Sequence, residues 1–588
     1  MEKKTSKKKY VIALCVFIIY TAVVAGLVLN KDKFVKPVQE EQTETKVEET
    51  QESLIDPEHQ FESYDNAEEY AISGQEGLYV DSEDVIIKEE DKQQLMKKYD
   101  LPALERMSAE DTEKFTKNLQ ALKRTETLGI DIDALFTPEY NWKAEYNSSL
   151  LQVKEKKIKT EESTVFEGNK ASELNAFLQK CGKKTVDITA KEIELDETIH
   201  IPSDLSIQGN GTVLKGNTEL MYALQMENVE NVSVSGLTFN GGYRFGIYII
   251  NSKNVLIWNN KITNAATKAL CVMGANEYIH VINNTATANT DGAFLFNGDI
   301  AHCIVQGNSI YQNMGAGNMS AGIVLSGIPV QNLYDTNNTE AEVYLYEVLE
   351  APHDMVLKNN LIQGNHSSGI YSYAGYRNYI IGNSIEDNEK EGLCLDYGTI
   401  GTYVSDNNIN RNGNRDRQTD DDLVNDFISE IGRMEDGTSK AKLPGMSLDN
   451  AAYNIVMANN VSYNYGSGIK MVRSGYRNLI ISNIVKDNNA GGNDFCFGYG
   501  IELGYASKPD VPFKGLDFTA DYENIIARNT ISGFHYSGIF LAEEDYCNDL
   551  IDNIVMDGTM FCIENHSQYF NSAVGNTVNG DNLEFPNY

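Results

Sequence analysis

The sequence predicts an all-β fold, a parallel solenoid, from two recurring features. An Asn-rich turn returns about every 24 residues, and a Gly-led apolar segment returns with it. The turn asparagines are Asn260, Asn284, Asn308, Asn360, Asn383, Asn408, Asn460, Asn483, Asn529, Asn553 and Asn576. The apolar segments begin at Gly246, Gly292, Gly369, Gly392, Gly468 and Gly538. Self-similarity at such a period indicates a repeat architecture, and the repeated unit here is a set of short strands. Equivalent positions of successive coils should therefore lie in register.

Composition narrows the classes of partner. The 588 residues carry a formal net charge of −36, which argues against nucleic acid and, less strongly, against an anionic polymer. The 8 cysteines lack CxxC spacing, so neither a disulfide framework nor a zinc site is expected. No cofactor or metal is predicted; Ca²⁺ at the acidic run Asp420–Asp422 is a minor alternative to a solvated helix start.

The N-terminal third predicts an anchored protein. Residues 1–9 are a basic cytoplasmic tail, and residues 10–29 are an apolar run that is long enough to span a bilayer. A cleaved signal peptide is the alternative to this anchor. Residues 30–90 are an acidic, disordered stalk, and residues 91–162 form a small helical spacer with Ser108 as a helix N-cap. The bulk of the chain is then extracytoplasmic, attached by a single-pass helix with a cytoplasmic N-terminus.

The solenoid domain is predicted over residues 163–588. It opens with an amphipathic helix at 170–181, KASELNAFLQKC, which should cap the open end of the first coil. The segment IPSDLSIQGNGTVLKG at 201–216 then reads as short strands separated by Asn/Gly turns.

The cap helix, this entry segment and the Asn-punctuated coils together resemble the right-handed parallel β-helix, the pectin-lyase-like superfamily. The resemblance covers roughly residues 163–588. It implies one of several activities, because the superfamily contains polysaccharide lyases, glycoside hydrolases, uronan epimerases and non-enzymatic surface proteins.

Three local motifs refine the resemblance. Residues 392–409 are similar to the LDW-type coil of β-helical glycosidases, which implies a catalytic role for Asp396, with Tyr397 in place of the Trp. Residues 351–354, APHD, resemble the DPHD motif of mannuronan C5-epimerases, with Ala351 in place of the first Asp. Residues 289–292, NTDG, match one polygalacturonase motif, without the coils that should follow it.

The Gly-led segments also assign side chains to the two faces of their strands. Positions one and three after the Gly are almost always aliphatic, so alternation places them inside and positions two and four outside. In the first coils the outward residues are apolar: Tyr248, Ile250, Cys271, Met273, Phe294 and Phe296. In the central coils they are Tyr371, Tyr373, Cys394, Asp396, Ser447, Asp449, Lys470 and Glu502.

The central outward residues predict a catalytic site. If the GLCLD and GMSLD coils are consecutive, the backbones of Asp396 and Asp449 lie ~4.8 Å apart. Carboxylates that close repel, which separates their pKa values as a glycosidase requires. Glu502 and Lys470 are expected to tune this catalytic pair, with an ion pair between them as the structural alternative.

Aromatic and basic residues next to this pair predict substrate binding. Tyr371, Tyr373 and Tyr397 would form a sugar platform. Residues 367–388 are similar in sequence to residues 466–488, which places Arg377 and Arg477 at equivalent turns. These two arginines and Arg473 are candidates for binding sugars or carboxylates. The alternative is that they stabilise the turns. Insertions at 329–351, 413–444 and 506–521 are expected to wall the groove.

The sequence therefore favours a membrane-anchored glycoside hydrolase that acts on a polysaccharide. A uronan lyase or C5-epimerase is the first alternative, with Lys470, a Tyr or His353 as base and Arg473 or Arg477 neutralising the uronate. A non-catalytic glycan-binding or scaffold protein is the second. The oligomeric state is not predicted.

Overall fold

A computed structural model describes most of the C-terminal three quarters of the chain. The described ranges are 162–216, 220–315, 317–327, 350–396, 398–414, 443–472, 475–489, 498–504, 520–533, 535–543, 545–556, 561–567, 569, 571–579 and 581–583. The predicted tail, anchor, stalk and nearly all of the spacer lie outside these ranges, as do most of the three insertions. Within the described ranges, no helix combines the length and apolar character needed to cross a membrane.

Three sheets of stacked strands confirm the predicted parallel solenoid, which has about 14 turns. Each complete coil contributes one strand to sheet I, then one to sheet II, then one to sheet III. The strands of sheet I are Ile199–His200, Leu220–Glu227, Tyr243–Ile250, Leu270–Met273, Phe294–Asn297, Ile323–Ser326, Ile370–Tyr373, Leu393–Asp396, Met446–Asp449, Ile469–Val472, Ile501–Leu503, Ser537–Leu541 and Phe561–Asn565.

Sheets II and III complete each coil. The strands of sheet II are Glu162–Phe166, Lys184–Ile188, Ser206–Gln208, Glu230–Ser235, Lys253–Trp258, Asn276–Ile282, Ile304–Gln306, Val356–Lys358, Tyr379–Ile381, Tyr403–Ser405, Ile455–Met457, Leu479–Ile481, Ile525–Ala527, Asp549–Ile551 and Ser572–Val574, with Ile300–Ala301 beside them. The strands of sheet III are Glu192–Leu195, Val213–Gly216, Thr238–Asn240, Lys261–Thr263, Thr285–Thr287, Ser309–Tyr311, Leu361–Gln363, Ser384–Glu386, Asn408–Asn410, Asn460–Ser462, Ile484–Lys486, Thr530–Ser532, Ile554–Met556, Asn576–Val578 and the antiparallel Asp581–Leu583.

The core lies between the three sheets and follows the predicted alternation. In sheet I the inward positions are buried aliphatic residues such as Leu393, Leu395, Ile469 and Met471. The Gly before such a strand is needed for close coil stacking: a Cβ on Gly369 would lie 2.6 Å from the carbonyl oxygen of Gly392.

One predicted orientation is wrong. Phe294 and Phe296 lie in the core, and Leu295 between them takes the outward position. Leu295 pairs in register with Cys271, whose side chain faces outward. An extra Ala after Gly292 shifts the strand by one residue, and a shift of one reverses every side chain.

The predicted cap helix is present as α1, Ala171–Cys181. Its buried face carries Leu174 and Leu178, which join the core of the first coils. The only other helix in the described ranges is a short 3₁₀ turn, Asn318–Ser320.

Buried asparagines between sheets II and III link each coil to the next. The backbone N–H and Nδ2 of Asn260 both donate to Oδ1 of Asn284, at 2.9 and 3.1 Å. The same pair of bonds recurs along a ladder of Asn260, Asn284, Asn308, Asn360, Asn383, Asn407, Asn459, Asn483, Asn529, Asn553 and Asn576. At two coils the ladder uses Asn407 and Asn459, not Asn408 and Asn460 as predicted.

Candidate functional site

The outward face of sheet I carries the predicted polar residues in adjacent coils. Strands Leu393–Asp396 and Met446–Asp449 pair in parallel, with Asp396 opposite Asp449. The prediction that these two coils are consecutive is therefore confirmed, although the chain between them is long. In the neighbouring ladder, Ser447 stands opposite Lys470, and Lys470 opposite Glu502.

Asp396 is buried and held by a tyrosine. Only 3% of Asp396 is exposed, and the Tyr371 hydroxyl donates to its Oδ2 at 2.7 Å. Burial and the nearby charge of Asp396 raise the pKa of Tyr371 well above its ordinary value, so the phenol stays a donor. Asn318 of the 3₁₀ turn also hydrogen-bonds Tyr371, and Lys390 Nζ donates to Asn318 Oδ1 at 3.0 Å. These contacts fix the orientation of the Asp396 carboxyl group.

Replacing Tyr371 by Phe should loosen this arrangement. The variant removes a hydrogen bond to a buried carboxylate, so we expect the free energy of unfolding to fall by about 1.5–3 kcal/mol. Denaturant unfolding followed by circular dichroism would measure the loss. Tyr403→Phe is a matched control, since this buried phenol hydrogen-bonds uncharged groups, the sulfur of Met457 at 3.2 Å and Ser405. An equal loss in both variants would contradict a specific role for the Tyr371–Asp396 bond.

Lys470 and Glu502 form an ion pair on the same face. Lys470 Nζ lies 2.7 Å from Glu502 Oε1, and Ser467 Oγ donates to Glu502 Oε2 at 2.5 Å. Glu502 is 2% exposed, whereas Lys470 is half-buried. Both Glu502 oxygens are thus engaged, and the salt bridge that the sequence offered as an alternative exists.

A residue that the sequence reasoning missed, Asp521, lies next to this group. It is fully buried, and its two oxygens accept the backbone N–H groups of Gly475 and Gly504, each at 2.6 Å. The pKa of Asp521 is raised to about 7: burial and, to a smaller degree, the charge of Asp449 raise it, while the two N–H groups and Lys470 oppose the shift. A carboxyl group that titrates near neutrality beside Asp449 marks this end of the ladder as a candidate functional site.

The raised pKa of Asp521 predicts a pH dependence of stability. A carboxyl whose pKa is higher in the folded chain favours folding most when both states are protonated, below about pH 4. That contribution falls as the pH rises toward 7, by roughly 4 kcal/mol, and is constant above. Denaturant unfolding across this range should show a shallower decline for Asp521→Asn, which cannot titrate. The comparison uses slopes only, because the amide cannot accept both N–H groups; identical slopes would refute the assignment.

Of the other predicted tyrosine and arginine ligands, one lies on sheet I and two lie outside the described residues. Tyr373 is half-buried on sheet I, opposite Asp396, next to an outward apolar strip of Cys271, Leu295, Val324, Tyr371 and Cys394. Tyr397 and Arg473 lie outside the described residues.

The two equivalent arginines lie at the corner between sheets I and II. Arg377 makes a two-point contact with Asp354, at 3.1 and 2.7 Å. Arg477 pairs with Glu523 at 2.5 Å and donates to the Tyr453 hydroxyl at 3.0 Å. Both arginines thus have partners that brace turns, the structural alternative that the sequence left open.

His353 is held by carboxylates at the same corner. Its Nδ1 lies 2.7 Å from Asp354 Oδ2, and its Nε2 lies 3.2 Å from Asp299 Oδ1. The ring stacks on Tyr376 with centroids 4.5 Å apart. Both ring nitrogens of His353 therefore face carboxylate oxygens of this chain.

No cluster of His, Cys, Asp or Glu in the described ranges is arranged to hold a metal ion. The acidic run Asp420–Asp422, the weak Ca²⁺ candidate, lies outside those ranges.

Comparison with known proteins agrees with the fold. A model of the right handed beta helix region matches residues 205–329 and 354–515. No curated protein matches the sequence. Similar solved structures include the mannuronan C-5 epimerase AlgE6 A-module of Azotobacter vinelandii, at 12% identity over 70% of this chain and 96% of that chain, with a TM-score of 0.47. They also include the catalytic unit of a GH87 alpha-1,3-glucanase from Streptomyces thermodiastaticus strain HF3-3, at 12% identity over 74% and 71%, with a TM-score of 0.38. A third is PfbA, a surface adhesin of Streptococcus pneumoniae, at 11% identity over 69% and 88%, with a TM-score of 0.37.

Proposed function

This chain is a right-handed parallel β-helix protein, and we propose that it is an enzyme that hydrolyses glycosidic bonds of a polysaccharide on the outward face of sheet I. The observation that carries the proposal is the register of Asp396 and Asp449 on adjacent strands. Paired carboxyl groups in different environments are what glycoside hydrolysis requires.

The environments of the two residues suggest separate roles. Asp396 accepts the hydroxyl of Tyr371, a contact that favours its ionised form, so it serves as nucleophile or as the base that activates water. Asp449 is half-buried, and its charge is one cause of the raised pKa of the buried Asp521. In this proposal Asp449 is the general acid at the leaving-group oxygen, and Asp521 is the neighbouring carboxyl group that supplies its proton.

Lys470 and Glu502 have a positioning role in this scheme. Their ion pair lies one strand beyond Ser447, beside Asp449, and places a cation near the developing negative charge. Tyr373 is half-buried opposite Asp396 in register and offers an aromatic surface for a sugar ring. The net charge of −36 favours a neutral or weakly charged polymer as substrate.

The test is incubation of the full chain with a panel of neutral and uronic polysaccharides. Reducing ends, ultraviolet absorbance of unsaturated products and sugar configuration by NMR would all be followed. New reducing ends without absorbance support hydrolysis. Absorbance or an inverted uronate would instead establish a lyase or epimerase, and binding without any product would establish a glycan-binding scaffold.

The location of the protein is part of the proposal. The lysine-rich residues 1–9 and the apolar run 10–29 are the basis for a single-pass anchor with the solenoid outside the cytoplasm. Protease added to intact cells should digest the solenoid, and alkaline washing should leave the chain in the membrane fraction. Release by the wash, or protection in intact cells, would contradict this location.

A further inference from the structure

A chain of hydrogen bonds connects Lys390 to Asp396. Lys390 Nζ donates to Asn318 Oδ1 at 3.0 Å, and the side chain of Asn318 hydrogen-bonds Tyr371. The Tyr371 hydroxyl in turn donates to Asp396 Oδ2 at 2.7 Å. Asn318 is exposed, but Lys390, Tyr371 and Asp396 are only 7%, 4% and 3% exposed. Both charged ends of the chain are therefore shielded from water, where their interaction is screened less than on an open surface.

The bonds of this chain all point in one direction, from the cation to the carboxylate. An ammonium group can only donate, so the amide atom that faces Lys390 is Oδ1. The single hydroxyl hydrogen of Tyr371 goes to Asp396, so its oxygen accepts from Asn318 Nδ2. Burial raises the pKa of Tyr371, and Asn318 opposes that rise, as a donor to the phenol oxygen does. Hydrogen bonds aligned in this way polarise and strengthen one another.

Within the described ranges, Lys390 forms no ion pair with a carboxylate of its own. The glutamates on either side of it in the sequence contact Ser368 and His366 instead. A buried ammonium group is costly unless a negative charge compensates for it. The carboxylate to which the hydrogen bonds of Lys390 lead is Asp396.

The 3₁₀ turn Asn318–Ser320 holds the middle of the chain in place. Lys268 Nζ donates to the carbonyl oxygen of Met319 at 2.5 Å. Ser367 Oγ donates to the carbonyl oxygen of Gly317 at 2.7 Å. The turn is thus bonded to coils that come before it and after it, which keeps its asparagine between the lysine and the tyrosine.

We propose that Lys390 controls the orientation and charge of the Asp396 carboxyl group through Asn318 and Tyr371. A cation that is linked to a carboxylate favours the ionised form, and the polarised phenol fixes the direction of the carboxyl group. The importance of this control for catalysis rests on the proposed function, in which Asp396 acts as a carboxylate. Lys390 is then a positioning residue, since it acts on Asp396 only through the two residues between them.

Fluorine NMR of the full chain, with fluorotyrosine at position 371, tests this control between about pH 3 and pH 8. The signal should shift in one step when Asp396 takes up a proton, because the acceptor of the phenol hydrogen then loses its charge. Asp396→Asn should abolish the step and thereby assign it. Lys390→Met should raise the midpoint of the step by roughly half a pH unit or more, because a carboxylate without its cation protonates more readily. Lys390→Arg keeps the charge and should raise the midpoint less.

Two further variants separate the chain of bonds from a general effect on the turn. Asn318→Leu, at an exposed position, breaks the chain while both charges remain, and it should also raise the midpoint. Ser367→Ala is the matched control, since it removes a bond to the turn but none in the chain, and it should leave the midpoint unchanged. An unchanged midpoint in Lys390→Met or in Asn318→Leu would overturn the proposal, as would an equal rise in Ser367→Ala. If Lys390→Met does not fold, Asn318→Leu decides alone.

The titration needs no substrate, so its outcome is separate from that of the proposed function. If Asp396 is the nucleophile or base, the acid limb of turnover on the polysaccharide should move with the midpoint in each variant. A raised midpoint in a chain that cleaves no polysaccharide would refute the proposed function and support the control of Asp396 by Lys390. Cleavage with an unmoved midpoint would support the proposed function and overturn that control.

Discussion

Replacing Asp396 or Asp449 by Asn should lower the turnover number on the polysaccharide substrate by roughly 10²–10⁴-fold. Each amide keeps the shape of the side chain but cannot attack, activate water or donate a proton as the carboxyl group does. In the proposed reaction Asp396 and Asp449 act on one bond, so the double variant should be only slightly slower than the slower single variant. Initial rates of reducing-end formation at saturating substrate would measure the effect.

The matched control for these variants is Asp406→Asn. Asp406 lies in the same coil as Asp396, directly after the sheet II strand Tyr403–Ser405, and is also partly buried. It should retain full turnover. Full activity in Asp396→Asn, with an unfolding midpoint like that of the parent chain, would show that the reaction does not take place at Asp396 and Asp449.

Replacing Asn459 by Ala should lower the free energy of unfolding by roughly 3 kcal/mol or more. Asn459 is 1% exposed; its backbone N–H and Nδ2 both donate to Asn483 Oδ1 at 3.0 Å. Its Oδ1 accepts two bonds from Asn407, at 3.0 and 2.9 Å. An alanine leaves buried donors of Asn407 unpaired. Denaturant unfolding of the full chain would measure the change.

The adjacent Asn460 is the control for this experiment. It is exposed on sheet III and donates to Asn408 Oδ1 at 2.9 Å, so Asn460→Ala should change stability by no more than about 0.5 kcal/mol. Equal losses in the two variants would contradict the assignment of Asn459 to the buried ladder.

The period of the repeat made both the solenoid and the register of Asp396 and Asp449 predictable. Residues at the same position of successive repeats stack on one another, so the position within the repeat is sufficient to predict the register. The predicted position within the repeat was wrong where two neighbouring residues fit the pattern equally well. Asn407–Asn408 and Asn459–Asn460 are doublets, and either member fits the turn pattern. Only the position of the flanking inward residues decides which asparagine is buried.

Asp521 was missed for a different reason. It is the last residue of the 506–521 insertion, so its distance from the preceding coil carries no phase information. Its environment depends on two backbone N–H groups, which no side-chain pattern encodes.

The burial of outward residues of sheet II, such as Ile381 and Leu479, did leave a signal in the sequence. Strands such as Tyr379–Ile381 and Leu479–Ile481 are continuous apolar runs, without the alternation that a half-exposed strand shows. Such runs are typical of strands that are buried on both faces.

The asparagine ladder gives the solenoid an electrical polarity. In every link the backbone N–H and one N–H of Nδ2 donate to the next coil, while Oδ1 accepts from the previous one. The second N–H of Nδ2 donates to a backbone carbonyl oxygen of the previous coil. The side-chain amides are thus all oriented in the same sense along the stack. The ladder begins at an Oδ1 that accepts the N–H of Leu237 and ends at an Nδ2 that donates to the carbonyl oxygen of Leu550. Each bond polarises the next in the same sense, much as peptide units do along an α-helix. The side-chain dipoles of this ladder therefore have their negative end toward the N-terminal coils and their positive end toward the C-terminal coils.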